Sequence, residues 1–278
     1  MSSRFRRILL IGKLRSAETD SSLKDLAQFL RKRGCEVLGE NDTKADLAIV
    51  IGGDGTMLAA ARDLVRHHVP LVGINQGRLG FMTDIGHADM LSGVTAILEG
   101  HYTIEERTLL DAEITRGGSS HLRTIALNEA VIGKGSQGRL IEFELSVDGE
   151  FVYRLRADGM IVATPTGSTA YALSAQGPIL HPAVPALTLV PLNPHTLSAR
   201  PVSVSDRCVI EITMVHALDA RAHFDGLALA DMAEGDRLIL KRSADVVRFV
   251  HPTGYHYFAT LRGKLGWGES IEKRRSSD

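Results

Sequence analysis

Residues Ala45 to Ile51 form a short, mostly apolar run that feeds straight into Gly52-Gly53-Asp54-Gly55-Thr56. An apolar run of this length without alternation predicts a strand covered on both faces, the kind parallel sheets are built from. Parallel neighbours need crossover connections, and the surrounding sequence supplies them. Arg6 to Gly12 reads as a strand. Ser21 to Arg33 reads as an amphipathic helix, with Leu23, Leu26, Ala27 and Leu30 on one face and Gly34 as its stop. Thr56 to His68 is the next helix, with Leu58, Ala61, Leu64 and Val65 on one side. Pro70 to Ile74 is a strand and Ala88 to Glu99 a helix. This βαβαβα order predicts an open parallel α/β sheet with helices on its faces.

The texture changes after about Gly100. Ile141, Phe143, Leu145 and Val147 alternate with polar residues, and Asp148-Gly149 follows as a two-residue hairpin signal. Phe151 to Arg156, Met160 to Ala163, Val209 to Val215 and Arg237 to Lys241 continue as strands, interrupted by one helix near Ser168 to Ala175. Gly254 to Leu265 regains helical spacing. The expected organisation is therefore an N-terminal α/β domain over 1–103 and a β-rich, sandwich-like domain over 104–250. A C-terminal segment over 251–278 ends in a charged, frayed tail from Glu272 to Asp278.

Charge and cysteine content narrow the function classes. Lys and Arg number 32 against 33 Asp and Glu, a net charge of −1, which argues against nucleic acid or an anionic membrane as the partner. No apolar run reaches the roughly 18 residues of a membrane helix. The two cysteines, Cys35 and Cys208, are far apart and form neither a disulfide framework nor a Cys-rich zinc site, so a cytoplasmic setting is expected. The histidines show no recognised zinc spacing, and no metal-ligand set is assigned.

Three segments can carry chemistry. In Gly52-Gly53-Asp54-Gly55-Thr56, consecutive glycines leave backbone open to a ligand, and the following helix N-terminus favours phosphate. Asp54 either caps that helix or serves reaction chemistry, as a proton acceptor or a partner of a divalent cation. The first strand reads Ile11-Gly12-Lys13-Leu14 rather than G-x-G-x-x-G, and no P-loop motif is present. Thr164-Pro165-Thr166-Gly167-Ser168-Thr169-Ala170-Tyr171 gathers small hydroxyls at a second strand-to-helix turn. They either hydrogen-bond a ligand or cap the helix. Asn128-Glu129 is a polar pair inside an apolar stretch, so it either sits at a strand end in solvent or faces a polar ligand.

Together these segments resemble the NAD kinase family. Gly52-Gly53-Asp54-Gly55 is similar to its first signature and Gly73-Ile74-Asn75-Gln76-Gly77-Arg78-Leu79-Gly80-Phe81 to its second glycine-rich loop. Asn128-Glu129, Asp158-Gly159 and Thr164 to Tyr171 follow in family order, then Pro194 to Pro201 and Lys264-Leu265-Gly266-Trp267. A lone G-G-D-G-T also occurs in lipid kinases and phosphofructokinases. The combination with Asn-Glu and T-P-T-G-S-T-A-Y is specific to this family.

The resemblance implies transfer of the ATP γ-phosphoryl group to the 2′-hydroxyl of the adenosine ribose of NAD, giving NADP. It implies the same two-domain fold, with the chain end returning to the first domain, and a homo-oligomer, dimer or tetramer. It implies a divalent cation, Mg²⁺, that travels with ATP and needs few protein ligands. Carried over by position, Asp54 is the proton acceptor, and Gly52, Gly53 and Gly55 approach the ATP phosphates and NAD. Asn128 and Glu129 hold the adenosine end, and Asp158 accepts from the nicotinamide carboxamide. Thr169, Ala170, Tyr171 and Ser174 line the NAD pocket, with Arg139 and Arg156 nearby. Leu227 stands where the family commonly has Gln, and His223 is left outside the candidate set. The alternatives are a lipid or sugar kinase sharing the G-G-D-G-T segment and a non-catalytic nucleotide sensor on the same fold.

Overall fold

The structure is a computed structural model of the chain. It describes residues 5–12, 17–39, 42–77, 80–136, 138–226 and 228–267. Lys13, Leu14, Arg78, Leu79, Leu227 and the tail from Glu272 to Asp278 lie outside the described residues.

The chain divides into two compact units, Met1–Glu106 with Val247–Asp278, and Arg107–Val246. In the first unit, five strands pair in parallel in the order Glu36–Leu38, Arg7–Gly12, Leu47–Ile51, Leu71–Asn75 and Ile85–Gly86. The two central strands, Leu47–Ile51 and Leu71–Asn75, are buried at every position, which explains their unbroken apolar sequence. Helix Ala17–Lys32 lays Leu26 and Leu30 into the core beside Ile49 and Val72. It ends where Gly34 takes a φ of +79°, with the Gly34 and Cys35 N–H groups donating back to Arg31 and Leu30. That reversal favours a residue without a Cβ. Helices Asp54–Leu64 and Met90–Leu98 complete the α/β layer, and helix Tyr257–Leu265 is the last described element of the unit.

The second unit is all but helix-free. A six-stranded antiparallel sheet runs Val202–Ser205, Ala186–Leu192, Gly159–Ala163, Glu129–Lys134, Ala220–Phe224, Ala228–Met232. A second group joins Glu150–Ala157, Ile141–Val147, Ile210–His216 and the start of the long strand Arg237–Pro252. One apolar core draws on both, with Ile141, Phe143 and Leu145 from the second group and Met160, Val162, Ala222 and Phe224 from the first. Two sheets sharing one core make the sandwich-like domain expected from the alternation. The Asp148-Gly149 hairpin is present, with Val147 paired to Glu150 and both turn residues at positive φ, +52° and +80°.

The helix expected over Ser168 to Ala175 is instead a 3₁₀ turn, Gly167–Thr169, and a single helical turn, Tyr171–Ser174. Ala170 separates them at φ −101° and ψ −128°, outside helical space. The strands Tyr102–Arg116 and Ser119–Ala126 have no counterpart among the strands read from sequence, because their outer halves are exposed and polar.

Candidate active site

Strand Leu47–Ile51 delivers the chain to the first glycine turn. Gly52 donates its N–H to the Ile74 carbonyl, and a Cβ on it would lie 2.5 Å from the Thr56 hydroxyl oxygen. Packing alone therefore requires glycine there. Gly53 and Gly55 are different. Both are exposed, and a Cβ on either would meet nothing within 4 Å. Among the described residues, nothing uses the space they leave.

Asp54 is the first residue of its helix, and Gly53 is the N-cap with no side-chain capping bond. The capping reading of Asp54 therefore fails. Its carboxylate reaches the second glycine-rich loop instead. The Phe81 N–H donates to Oδ2 and the Met82 N–H to Oδ1, each at 2.9 Å. Gly80 makes this approach possible, since a Cβ there would lie 2.1 Å from the Asp54 Oδ1. The loop is held by Gly80 N–H donating to Thr83 Oγ1, and it runs close against Gly73, where a Cβ would lie 2.7 Å from the Met82 carbonyl oxygen. Lys264, from the C-terminal helix, places its ammonium 5.7 Å from the Phe81 ring centre. The result is a half-exposed carboxylate fixed at a helix N-terminus beside two open glycines.

The second turn follows the fully buried strand Gly159–Ala163. Its hydroxyls are used internally. Thr164 donates to the Leu127 carbonyl at 2.5 Å, Ser168 bonds the Pro165 carbonyl and the Leu180 N–H, and Thr169 donates to the Thr166 carbonyl. Buried Arg107 donates to Thr166. Gly167 is closely packed, because a Cβ would sit 2.0 Å from the Asn128 carbonyl oxygen. The capping reading by Ser168 or Thr166 does not describe these hydroxyls. They build the backbone on which Asn128-Glu129 rests.

Asp225 supports that backbone from the other side. Its carboxylate accepts the N–H groups of Leu127, Asn128 and Glu129 at 2.8, 2.7 and 3.1 Å. Asp225 and Gly226 turn the chain at φ +53° and +67°. Glu129 opens its strand in a buried position, and its Oε2 has no hydrogen-bond partner among the described residues. Burial first, and the nearby Asp225 charge second, push its carboxyl up to about 7.

A cavity of about 440 Å³ lies in the second unit. Glu129, Asp158 and Tyr171 line it, as the sequence reading places them at one site. Lys134, Asn193 and His223 line it too; the sequence reading missed the first two and left His223 outside the candidate set. Lys134 Nζ lies 2.6 Å from Asp158, and Asn193 donates to Asp158 at 2.9 Å. Those bonds, Lys134 first, hold the Asp158 carboxyl below the usual range. Burial, aided by Arg221, holds His223 below the ordinary histidine value. Thr169 and Ala170 flank Tyr171 in half-buried positions, while Arg139, Arg156 and Ser174 are exposed and do not line this cavity. The signal that could have found Asp225 was the Asp-Gly pair between two short strands. Lys134 becomes visible only once Gly133 is known to pair with Gly159, beside Asp158.

An open glycine turn carrying a pinned acid, at the start of a helix in an α/β unit, fits the class of nucleotide-handling phosphotransferases. Comparison with known proteins is specific. The profile of the ATP-NAD kinase N-terminal domain matches residues 18–102, and that of the ATP-NAD kinase C-terminal domain matches 127–252. The chain is 55% identical to the NAD kinase of Aromatoleum aromaticum, over 96% of each chain. It is 52% identical to the NAD kinase of an Azoarcus species, over 96% of this chain and 98% of that one. The crystal structure of an NAD kinase from Archaeoglobus fulgidus in complex with ATP superposes with a TM-score of 0.77 at 27% identity, covering 92% and 99%. Yeast NADH kinase complexed with NADH shares the fold, at a TM-score of 0.87 and 24% identity, covering 96% and 89%. The chain belongs to the NAD kinase family.

Proposed function

We propose that the chain is an ATP-dependent NAD kinase that transfers the γ-phosphoryl group of ATP to the 2′-hydroxyl of the adenosine ribose of NAD. The observation that carries the reading is the Asp54 carboxylate, held by the Phe81 and Met82 N–H groups at the mouth of an open glycine turn. Phosphoryl transfer is chiefly positioning and charge stabilisation, with no covalent enzyme intermediate required. The ribose hydroxyl loses its proton as the new O–P bond forms, and an Asp54 oxygen accepts it. The N–H groups fix the carboxylate plane and leave lone pairs on both oxygens for that proton. Gly53 and Gly55 leave room for phosphate oxygens beside the free N–H groups of the helix start.

In the second unit the reading assigns the NAD contacts. Asn128 and Glu129 hold the adenosine end, with Glu129 near half-protonated at neutral pH and so able to donate as well as accept. Asp158, kept ionised by Lys134 and Asn193, accepts from the nicotinamide carboxamide. Tyr171, Thr169 and Ala170 line the pocket, and Arg139, Arg156 and Ser174 approach NAD from exposed positions. The donor set suits a hard divalent cation carried by the nucleotide. Among the described residues no group of three or more His, Cys, Asp or Glu side chains is arranged to hold a metal. Asp54, half-exposed with free lone pairs, is the residue that would meet such an ion. When bound, Mg²⁺ neutralises phosphate charge.

The reading makes the enzyme a cytoplasmic homo-oligomer. The two free cysteines fit a reducing compartment, and Phe151 and Val152 expose apolar surface on the sheet-edge strand Glu150–Ala157. No observation favours the lipid-kinase, sugar-kinase or sensor alternatives. The test is direct: purified protein with ATP, Mg²⁺ and NAD, and NADP detected by an NADP-specific dehydrogenase. Turnover on the order of 1 to 100 per second is expected. A folded protein that binds NAD and forms no NADP would overturn the reading.

A further inference from the structure

His251 takes no part in the chemistry described so far, yet its surroundings are unusual. Its side chain is 2% exposed and sits between two carboxylates. Nδ1 meets Asp84 Oδ2, and Nε2 lies 2.9 Å from Glu105 Oε2. The Tyr255 ring stacks on the imidazole at 4.0 Å and 8°, and the Phe249 ring lies 6.4 Å away on a shallow tilt. Asp84 and Glu105 are the charged groups that face it. Asp84 is itself nearly covered, with 8% of its side chain exposed. Two carboxylates facing one site, Asp84 nearly covered and Glu105 partly exposed, repel unless a cation lies between them.

Asp84 closes the segment that starts at Gly80. Within that segment the Phe81 and Met82 N–H groups donate to Asp54, and Thr83 accepts the Gly80 N–H. From Asp54 to His251 there is thus a continuous path: carboxylate, two backbone donors, one further residue of chain (Thr83), carboxylate, imidazole. We propose that His251 is a positioning residue for Asp54, clamping Asp84 so that the Phe81 and Met82 N–H groups stay aimed at the Asp54 carboxylate. The proposal rests on the reading of Asp54 as proton acceptor.

Electrostatics act in the same direction. Burial alone would lower the His251 pKa, but the bonds to Asp84 and Glu105 outweigh it and hold the imidazole above its ordinary value of 6.5. The two carboxylates therefore favour the cationic form of the imidazole. Its contribution is complete below 6.5 and is lost as pH rises through the raised folded value. Replacing His251 by a neutral side chain removes the cation, leaves Asp84 against Glu105, and frees the loop to shift. A shift of about 1 Å in a reacting group costs up to roughly 10²-fold in rate.

The test is a double-mutant cycle of His251→Gln and Asp54→Asn, with kcat and both KM values measured and folding followed by thermal melting. His251→Gln is expected to lower kcat by roughly 10- to 100-fold, with the KM for NAD and for ATP changed by less than about threefold. In the Asp54→Asn background the same substitution should cost less than about twofold, since there is no proton acceptor left to misplace. A kcat within about twofold of the parent in His251→Gln, or an equal loss in both backgrounds, would overturn the proposal. Should His251→Gln fail to fold, Asp84→Asn takes its place in the cycle, with the same two outcomes decisive. Near-normal turnover in Asp54→Asn alone would instead overturn the underlying assignment of Asp54, which separates the two failures.

Discussion

The two strand-to-helix turns look alike in sequence and do different work. Each follows a strand buried at all positions, each mixes glycine with small polar residues, and each leads into a helical turn. In the first, Gly53 and Gly55 face open space, and the acid between them is oriented by backbone donors from a distant loop. In the second, Thr164, Ser168 and Thr169 spend their hydroxyls on nearby backbone groups, and Gly167 is pressed against Asn128. The first turn leaves the space beside its acid open among the described residues, whereas the second spends its hydroxyls on holding backbone in place. A glycine-rich, hydroxyl-rich turn is thus no guide to ligand contact until its internal bonds are accounted for.

Glycine substitution breaks the comparison most sharply. Gly167→Ala should cost about 3 kcal/mol or more, because the clash is with a carbonyl that cannot swing aside. Denaturant unfolding would show it, and an unfolding midpoint equal to the parent's would mean that the turn is not held against Asn128.

Glu129 is the next effect. Its folded carboxyl titrates near 7 against an ordinary 4.5, so the folded state holds the proton more tightly. Stability conferred by that proton is complete below 4.5 and is lost as pH rises toward and through 7. Glu129→Gln should therefore be more stable than the parent by about 1–3 kcal/mol at pH 8, with the difference gone at pH 4. Thermal melts of both proteins across that range check it. A constant difference at all pH values would contradict the raised value.

Gly55→Ala is the smallest effect and carries the opposite sign. It lies within the first turn of a helix and meets no atom, so alanine should stabilise the fold by up to about 1 kcal/mol. The same change should raise the KM for ATP, because a methyl group would stand where phosphate oxygens approach. A stabilised protein with an unchanged KM would show that the open space is not used.

The α/β layer was legible because its central strands are buried on both faces and carry an unbroken apolar run. The sandwich was legible where alternation met an Asp-Gly turn, at Ile141–Val147 and Glu150–Ala157. Tyr102–Arg116 was not, since its exposed half reads like loop sequence. At the site, the motifs named Asp54, Glu129 and Asp158 but not what orients them. Phe81 and Met82 act through backbone N–H groups, 27 and 28 residues from Asp54, and a backbone donor leaves no mark in side-chain chemistry. Asp225 joins the Asn128-Glu129 backbone across nearly a hundred positions, a contact that only the strand pairing of Ala220–Phe224 with Glu129–Lys134 creates.

The central claim is that the carboxylate of Asp54 accepts the ribose proton while the rest of the protein binds and orients. Turnover of Asp54→Asn, measured beside its NAD affinity and its melting curve, tests this most directly. The account requires an intact fold, NAD binding close to the parent's, and a kcat lower by roughly 10²- to 10⁴-fold. A variant that folds, binds NAD and turns over at near the parent rate would contradict it.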